Sequence, residues 1–190
     1  MRNAFLIGDK LYLRPLERAD APFLTSYMND PDVTRTLEAR RPMSLQGEEA
    51  WIDSLCKSDR EVVLGIVVKK TDRLIGATDL HEIRLQDRKA GFGIAIGAKD
   101  EWNKGYGSEA TRLMLKYGFQ TLNLHRIVLR VYANNPHALR TYERAGYVHE
   151  GILRKDVYRD GRYIDVYLMA VLREDWESAQ GQESVVLTEL

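Results

Sequence analysis

Residues 90–110 read AGFGIAIGAKDEWNKGYGSEA, and this stretch decides the fold. Its first nine residues predict a strand from Ala90 to Ala98 that is unusually rich in glycine, which marks a bulge or the close approach of another backbone. The segment WNKGYGSEA, residues 102–110, then leads into an amphipathic helix predicted over Glu109 to Leu122. A glycine loop at a helix start exposes unpaired N–H groups at the positive end of the helix dipole. The stretch therefore predicts a pyrophosphate site, to which Lys104 adds charge.

Three interpretations of this loop stay open from its residues alone. In the first, the loop is a tight turn that needs glycine for its backbone angles. In the second, it is a dinucleotide site, because residues 105–110 satisfy G-x-G-x-x-[GA]. That site needs an acidic residue about 20 positions later, whereas no Asp or Glu occurs between Glu109 and Glu143. In the third, the loop binds coenzyme A. A P-loop is excluded because the sequence lacks G-x-x-x-x-G-K-[ST].

The elements around this stretch alternate along the chain. Periodicity and turn signals predict the order β-α-α-β-β-β-α-β-α-β-β, in which Val62 to Val68 is a strand buried on both faces. Ser44 is expected to cap the second helix, and Asp160-Gly161 is expected to form the last hairpin turn. Such alternation in one mixed sheet indicates the α/β (α+β) class. We predict one domain over residues 1–176 and a frayed, polar C-terminal tail over residues 177–190.

The bulk composition narrows the class of protein. Of the 190 residues, 44% are hydrophobic and 29% are charged, as in ordinary soluble domains. Lys plus Arg and Asp plus Glu number 28 each, and this zero net charge argues against nucleic-acid binding. A single cysteine excludes an intramolecular disulfide and a cysteine-based zinc site, and the four histidines are scattered, so we expect no metal. The sequence has no signal peptide or membrane-length apolar run, so we expect a cytoplasmic protein with no membrane partner.

A second motif follows the glycine loop. Residues 135–147 read NPHALRTYERAGY. Together with Gly105 and Gly107, this segment resembles the GNAT superfamily of N-acetyltransferases, whose signatures are [QR]-x-x-G-x-[GA] and N-x-x-A-x-x-x-Y-E-[KR]-x-G-[FY]. The second signature is matched in full; in the first, Trp102 replaces the usual Gln or Arg. Such a Trp is typical of the branch that resembles ribosomal-protein N-terminal (alanine/serine) acetyltransferases and spermidine N-acetyltransferases. The resemblance covers nearly the whole chain, residues 9–176.

The resemblance implies the GNAT fold, a single mixed, mostly antiparallel seven-stranded sheet flanked by about four helices. In that fold the fourth and fifth strands, here Ala90–Ala98 and Arg126–Ala133, splay apart, and the pantetheine arm of acetyl-CoA lies between them. Gly93–Gly97 is expected to supply the bulged backbone of the splay. The resemblance places this cosubstrate against Ile94, Ala95, Ile96, Trp102, Asn103, Lys104, Gly105, Tyr106, Gly107, Ser108, Asn135 and Tyr142.

Two residues of the second motif have a catalytic interpretation and a structural one. The resemblance implies that the Asn135 side chain faces the pantetheine, whereas its position before Pro136 is typical of a helix N-cap. The resemblance also implies that the Tyr142 hydroxyl protonates the departing thiolate as a general acid. Spacing alone favours packing of Tyr142 on Ala138 and Leu139, one helical turn away.

The general base is left open. Many relatives carry a Glu early in the fourth strand, but this chain has Gly91 there. If the preceding strand alternates, Asp79 and His81 share a face and Glu82 points the other way. Any of these three side chains, or a water relay, is a candidate to accept the proton from the amine. His81 has a suitable pKa near neutrality.

The acceptor is a primary amine, according to the resemblance. The family builds its acceptor surface from the first two helices, their connection and the last hairpin. That connection carries Arg35, Arg40 and Arg41 against Asp32 and Glu38. Either these arginines belong to a solvated surface loop, or they face the acceptor and argue against a polycation. We therefore expect direct attack, in a ternary complex, by a protein N-terminal α-amine or a small amino metabolite. The alternatives are a spermidine or polyamine N-acetyltransferase and a non-catalytic acyl-CoA sensor. Dimers are frequent in this branch, so a homodimer is a candidate assembly.

Overall fold

The computed structural model describes residues 1–186, so residues 187–190 of the expected tail lie outside the described part. The strands are β1 Leu6–Ile7, β2 Leu11–Pro15, β3 Val62–Val68, β4 Arg73–Arg84, β5 Lys89–Ile96, β6 Arg126–Tyr132, β7 Val148–Arg159 and β8 Arg162–Leu172. The helices are α1 Ala21–Met28, α2 Pro31–Thr34, α3 Leu45–Leu55, α4 Tyr106–Lys116, α5 Pro136–Arg144 and α6 Arg173–Val186.

All strands form one sheet in the order β1-β2-β3-β4-β5-β6-β8-β7. Every neighbouring pair is antiparallel except β5 and β6, which are parallel. The mixed, mostly antiparallel sheet and the α/β class are thus confirmed. The described residues hold eight strands and six helices where seven and about four were expected. The extra strand, β1, has two residues, too few for a period-two pattern to show in the sequence.

The expected splay lies between β5 and β6. Only three residue pairs join these strands, and the last of them is Gly91 with Val128. Beyond that pair β5 stays in register with β4 up to Ile96, while β6 stays paired with β8. The two strands therefore form a V-shaped gap that opens toward the starts of α4 and α5.

The expected bulge lies at the far end of Gly93–Gly97. The pairing of β4 with β5 is continuous from Gly91 to Ile96. The consecutive N–H groups of Gly97 and Ala98 then both donate to the Ile75 carbonyl, over 2.8 and 3.0 Å. Two donors on one acceptor are the mark of a bulge. It turns the chain away from the sheet just before the glycine loop.

The two faces of the sheet carry different helices. The larger core lies under α4, α5 and α6 and includes Phe92, Met114 and Tyr142. On the opposite face α1 and α3 pack through Leu24 and Ile52 over a smaller cluster. Because side chains alternate along β5, its even-numbered residues from Phe92 to Ile96 face the larger core, and the odd-numbered ones face α1 and α3.

Two element boundaries differ from the sequence prediction. Helix α4 begins at Tyr106 instead of Glu109, because Gly105 has a φ of +87° and turns the chain into the helix. The C-terminal segment is helical up to Val186, where a frayed tail was expected. Trp176 anchors this helix by packing on Phe119, with ring centroids 5.4 Å apart.

Candidate active site

The glycine loop is open and forms the first turn of α4. Residues 103–105 are exposed, and residues 106–108 are half-buried. The first helical hydrogen bond runs from the Glu109 N–H to the Gly105 carbonyl over 3.1 Å, so the N–H groups before Glu109 have no carbonyl one turn earlier. A Cβ built on Gly107 would have no atom within 4 Å. Donors, helix dipole and free space therefore fit a pyrophosphate.

Charged and aromatic side chains surround this loop. The Trp102 indole N–H donates to the Ile96 carbonyl over 2.8 Å, which ties the loop to the end of β5. The exposed Lys104 forms an ion pair with Glu101 at 2.9 Å. Lys10, which sequence reasoning missed, has its Nζ 3.8 Å from the position that a Cβ on Gly105 would take. The turn between β1 and β2 brings this second cation to the loop, and only the tertiary fold reveals it.

The gap-facing edge of β5 lies next to the loop. Ile94, Ala95 and Ile96 are each half-buried, and no strand of the described chain pairs with this edge beyond Gly91. Peptide groups on such an edge are free to bind an extended ligand as a further strand would. The backbone predicted to hold the pantetheine is therefore accessible.

Asn135 caps helix α5. Its Oδ1 accepts the Ala138 N–H over 3.2 Å, so the structural interpretation of this residue holds. Its role toward pantetheine stays a prediction. The neighbouring Asn134, which sequence reasoning passed over, has a buried Oδ1 with no hydrogen-bond partner in the described residues.

Tyr142 is buried beneath the gap, on the face that carries α4 and α5. Its ring packs edge-on against Phe92 and Tyr147, with centroids 6.1 and 5.8 Å away. Burial, and then the negative charge of Asp79, raise the pKa of its hydroxyl well above the ordinary value of 10.0. The phenol therefore holds its proton at neutral pH. The packing of Tyr142 in the core is therefore observed, and its role as a general acid stays a prediction.

Asp79 and His81 lie together on the other face, with His81 Nδ1 2.5 Å from Asp79 Oδ1. This hydrogen bond is the main reason that the pKa of His81 is raised from 6.5. In the sheet, His81 is opposite Gly91 and Asp79 is opposite Gly93. A Cβ on Gly91 would lie 2.2 Å from His81 Nε2, and one on Gly93 would lie 2.5 Å from Asp79 Oδ2. The pair thus occupies the space that two side chains of β5 would otherwise fill.

Sequence reasoning missed two further polar residues on this face. Glu48 of α3 is 3% exposed, forms no salt bridge with a described residue, and has its pKa raised by burial. Tyr27 of α1 covers Gly97, and its pKa is raised by burial and by the charges of Glu48 and Asp79. The burial of Glu48 could have been predicted from the sequence. Glu48 lies three residues after Leu45 and four before Ile52, on the apolar stripe of its helix.

Two classes of site find no support in the described residues. No group of three or more His, Cys, Asp or Glu side chains is placed to hold a metal ion among the side chains described for residues 1–179. Over the same range, no helix is both long enough and apolar enough to cross a membrane.

Comparison with known proteins agrees with the geometry. Residues 10–148 match the family model described as an acetyltransferase (GNAT) domain. An uncharacterized N-acetyltransferase p20 of Bacillus licheniformis is 31% identical over 174 residues, covering 90% of this chain and 97% of the relative. A spermidine N(1)-acetyltransferase of Vibrio cholerae is 32% identical over 170 residues, again covering 90% and 97%.

A solved structure is also similar. The crystal structure of the spermidine N-acetyltransferase from Vibrio cholerae in complex with CoA and spermine has a TM-score of 0.83 and 31% identity, and covers 89% of this chain and 99% of its own. The fold is therefore shared over nearly the whole length of both chains. With the family model matched over more than half of the sequence, the chain belongs to the GNAT acetyltransferase family, which takes its acetyl group from acetyl-CoA.

Proposed function

We propose that this enzyme transfers the acetyl group to a primary amine by direct attack in a ternary complex. The observation that carries the proposal is the position of a tyrosine and a histidine on opposite faces of the sheet at the vertex of the gap. Tyr142 packs on Phe92 from one face of the sheet, and His81 fills the space beside Gly91 on the other. A thioester seated between β5 and β6 would therefore have a proton donor on one side and a proton acceptor on the other.

The backbone would bind and orient acetyl-CoA. N–H groups in the first turn of α4, around Gly107, would hold the pyrophosphate, and the free edge of β5 at Ile94–Ile96 would hold the pantetheine; the unpaired donors and the unpaired edge support this. N–H groups on this edge also polarise a thioester carbonyl if they donate to its oxygen. Binding thus uses main-chain donors that are fixed before the ligand arrives.

His81 is the proposed general base. Because the Asp79 carboxylate accepts the Nδ1 proton, the neutral ring keeps its lone pair on Nε2, the atom nearest to Gly91. Nε2 would take a proton from the attacking amine. His81 also lines a cavity of about 420 Å³, together with Arg60, Glu61 and Glu82, through which that proton can reach water. Asp79 positions the imidazole and favours its protonated form.

Tyr142 is the proposed general acid. As the carbon–sulfur bond breaks, the phenol would donate its proton to the thiolate. Its raised pKa ensures that the proton is present at neutral pH. This intact pair of acid and base argues against the non-catalytic sensor, which needs only the binding surfaces.

A second candidate is acetylation of spermidine or another polyamine. The Vibrio cholerae relative named for this activity supports it, and so do the carboxylates of Glu48 and Asp79 on the face that carries α1 and α3. The arginines of the connection between α2 and α3 oppose it, because they repel a polycation.

The test is an acceptor screen with acetyl-CoA. Free thiol release would be measured over polyamines, amino acids, amino alcohols and peptides with free N-termini, and the product would be identified by mass. We expect turnover of at least one primary amine, and at least a hundredfold lower kcat in His81→Ala. Saturable binding of acetyl-CoA without turnover of any amine would instead indicate the sensor.

A further inference from the structure

A cavity of about 360 Å³ lies between the first two helices, α1 and α2, and the hairpin of β7 and β8. Its walls come from α1, from the connection between α2 and α3, and from the tip between β7 and β8. Four arginines line it, and we call it the guanidinium basin: Arg35, Arg40, Arg41 and Arg159.

The positive charge of the basin is not neutralised within the described chain. None of its four arginines has a carboxylate within 4.0 Å among the side chains described for residues 1–179, and Asp160 is the acidic residue on its wall. The nearby Asp30 and Asp32 both pair with Lys99. Elsewhere arginines do pair with carboxylates: Arg2, Arg14, Arg18, Arg73, Arg126, Arg130 and Arg173. A cluster of unpaired cations costs free energy through mutual repulsion, which an anionic ligand would relieve.

One member of the basin is held rigidly. Arg159 Nη2 donates to the carbonyls of Leu37 and Ala39, over 2.5 and 3.0 Å, and its guanidinium lies 6.0 Å from the Tyr132 ring centroid. Its Nε is buried without a hydrogen-bond partner in the described residues. A fixed guanidinium with an unused donor is suited to binding a carboxylate or phosphate.

The basin shares a wall with the proposed acceptor side of the active site. Leu37, which binds Arg159, packs in the same cluster as Tyr27 and Ala95 of β5. The next residue, Glu38, is close enough for its charge to raise the pKa of His81. The cleft is therefore polar along its length, with carboxylates near the proposed base and guanidinium groups at the basin.

We propose that the guanidinium basin binds an anionic group of the acceptor. The acceptor class is then a small primary amine that carries a carboxylate or a phosphate, with the ammonium directed inward and the anion held by the arginines. This inference rests on the proposed N-acetyltransferase function and narrows its substrate. It also explains how a chain related to spermidine acetyltransferases would reject a polycation, since like charges repel at the entrance.

Matched acceptors test the inference. A series of ω-amino carboxylates and aminoalkyl phosphates of increasing chain length is compared with the corresponding amides and alcohols. We expect kcat/KM to be about tenfold or more higher for the anionic member of a pair. Arg35→Gln combined with Arg41→Gln should lower the ratio of the two kcat/KM values severalfold, while Arg40 and Arg159 remain in the basin. The Arg35 and Arg41 side chains are exposed and make no hydrogen bond to a described residue, so the fold is retained. Lys57→Gln combined with Lys116→Gln removes the same charge from exposed positions outside the basin and is the control.

Two further measurements separate the ways in which the inference can fail. Turnover of neutral amines or polyamines without any preference for anions would overturn it and leave the proposed function standing. If no amine is turned over, calorimetry with inorganic phosphate still decides, because equal binding by wild type and the arginine double variant overturns the inference. A double variant that binds CoA more weakly but dephospho-CoA normally would assign the basin to the cosubstrate's 3′-phosphate, which also overturns it.

Discussion

The strongest test of the proposed base is the substitution Gly91→Ala. It adds one methyl group on β5, where a Cβ would lie 2.2 Å from Nε2, 2.6 Å from Cδ2 and 2.9 Å from Cε1 of His81. Ordinary contacts begin at 3.4 Å. The imidazole must therefore retreat by roughly 1 Å or rotate out of the gap, away from the position that Asp79 gives it.

The magnitude follows from this displacement. A catalytic group misplaced by about 1 Å can lower the rate by about 10²-fold, which corresponds to about 2.7 kcal/mol in the activation free energy. The same methyl should not destabilise the fold, because the His81 side chain is half-exposed and can move into solvent. Replacing a strand glycine by alanine even contributes roughly 0.5–1 kcal/mol to stability. We thus expect a catalytic defect without a folding defect.

The assay measures three quantities on one protein preparation. These are kcat with the best amine of the acceptor screen, the Kd of CoA by calorimetry, and the melting temperature. Gly91→Ala should lower kcat about 10²-fold and leave the other two unchanged, since the glycine loop is not altered. Gly151→Ala is the matched control, because it also lies in a strand and its Cβ would meet nothing closer than 3.8 Å.

A wild-type kcat in Gly91→Ala would refute the reasoning that places the base at His81. A rescue experiment tests the same geometry from the other direction. His81→Ala removes the ring, and Gly91→Glu then places a carboxylate where relatives carry one. The double variant should recover part of the activity that His81→Ala loses, because the two positions share one space in the sheet.

The remaining predictions concern the other parts of the site. Asp79→Asn should lower the plateau of kcat/KM and move its acidic limb to lower pH. The acidic limb of the profile marks protonation of His81. The hydrogen bond to Asp79 raises the pKa of His81 from 6.5, so removing it lowers this pKa and moves the limb to lower pH. Tyr142→Phe should lower kcat by about 10²-fold with an unchanged Kd for CoA, and a wild-type kcat would remove the hydroxyl from the acid role. Gly107→Val should raise the Kd of CoA about tenfold or more without lowering the melting temperature, because its side chain enters space that is empty in the free protein; equal affinity would contradict the loop assignment.

Much of the fold could be predicted because its signals are local. Val62–Val68 was delimited correctly as a strand from its apolar run. Ser44 was expected to cap α3, and its Oγ accepts the Gly47 N–H over 3.0 Å. Asp160 and Gly161 were expected to form the hairpin turn, and both have positive φ. Each of these features depends on residues that are close in sequence.

The rest of the site depends on register between strands, which local patterns do not carry. Alternation put Asp79 and His81 on one face, but it did not reveal that Gly91 and Gly93 lie opposite them. Lys10 reaches the glycine loop only through the turn between β1 and β2. The start of α4 was placed three residues late because the apolar stripe begins after the loop, whereas backbone geometry at Gly105 starts the helix.

The glycines of β5 help to decide whether this enzyme still has a general base. Gly91 alone suggests a decayed site, since the resemblance expects a carboxylate there. In an antiparallel pair, however, directly opposite residues are neighbours on one face of the sheet. At two positions the side chain of β4 leans over its partner on β5 and leaves no room for a Cβ there, at His81 with Gly91 and at Asp79 with Gly93. Each strand glycine costs roughly 0.5–1 kcal/mol of stability relative to alanine. In the proposed mechanism the proton acceptor therefore stands on the neighbouring strand, because the imidazole of His81 occupies the space beside Gly91, where the resemblance expects a carboxylate on β5.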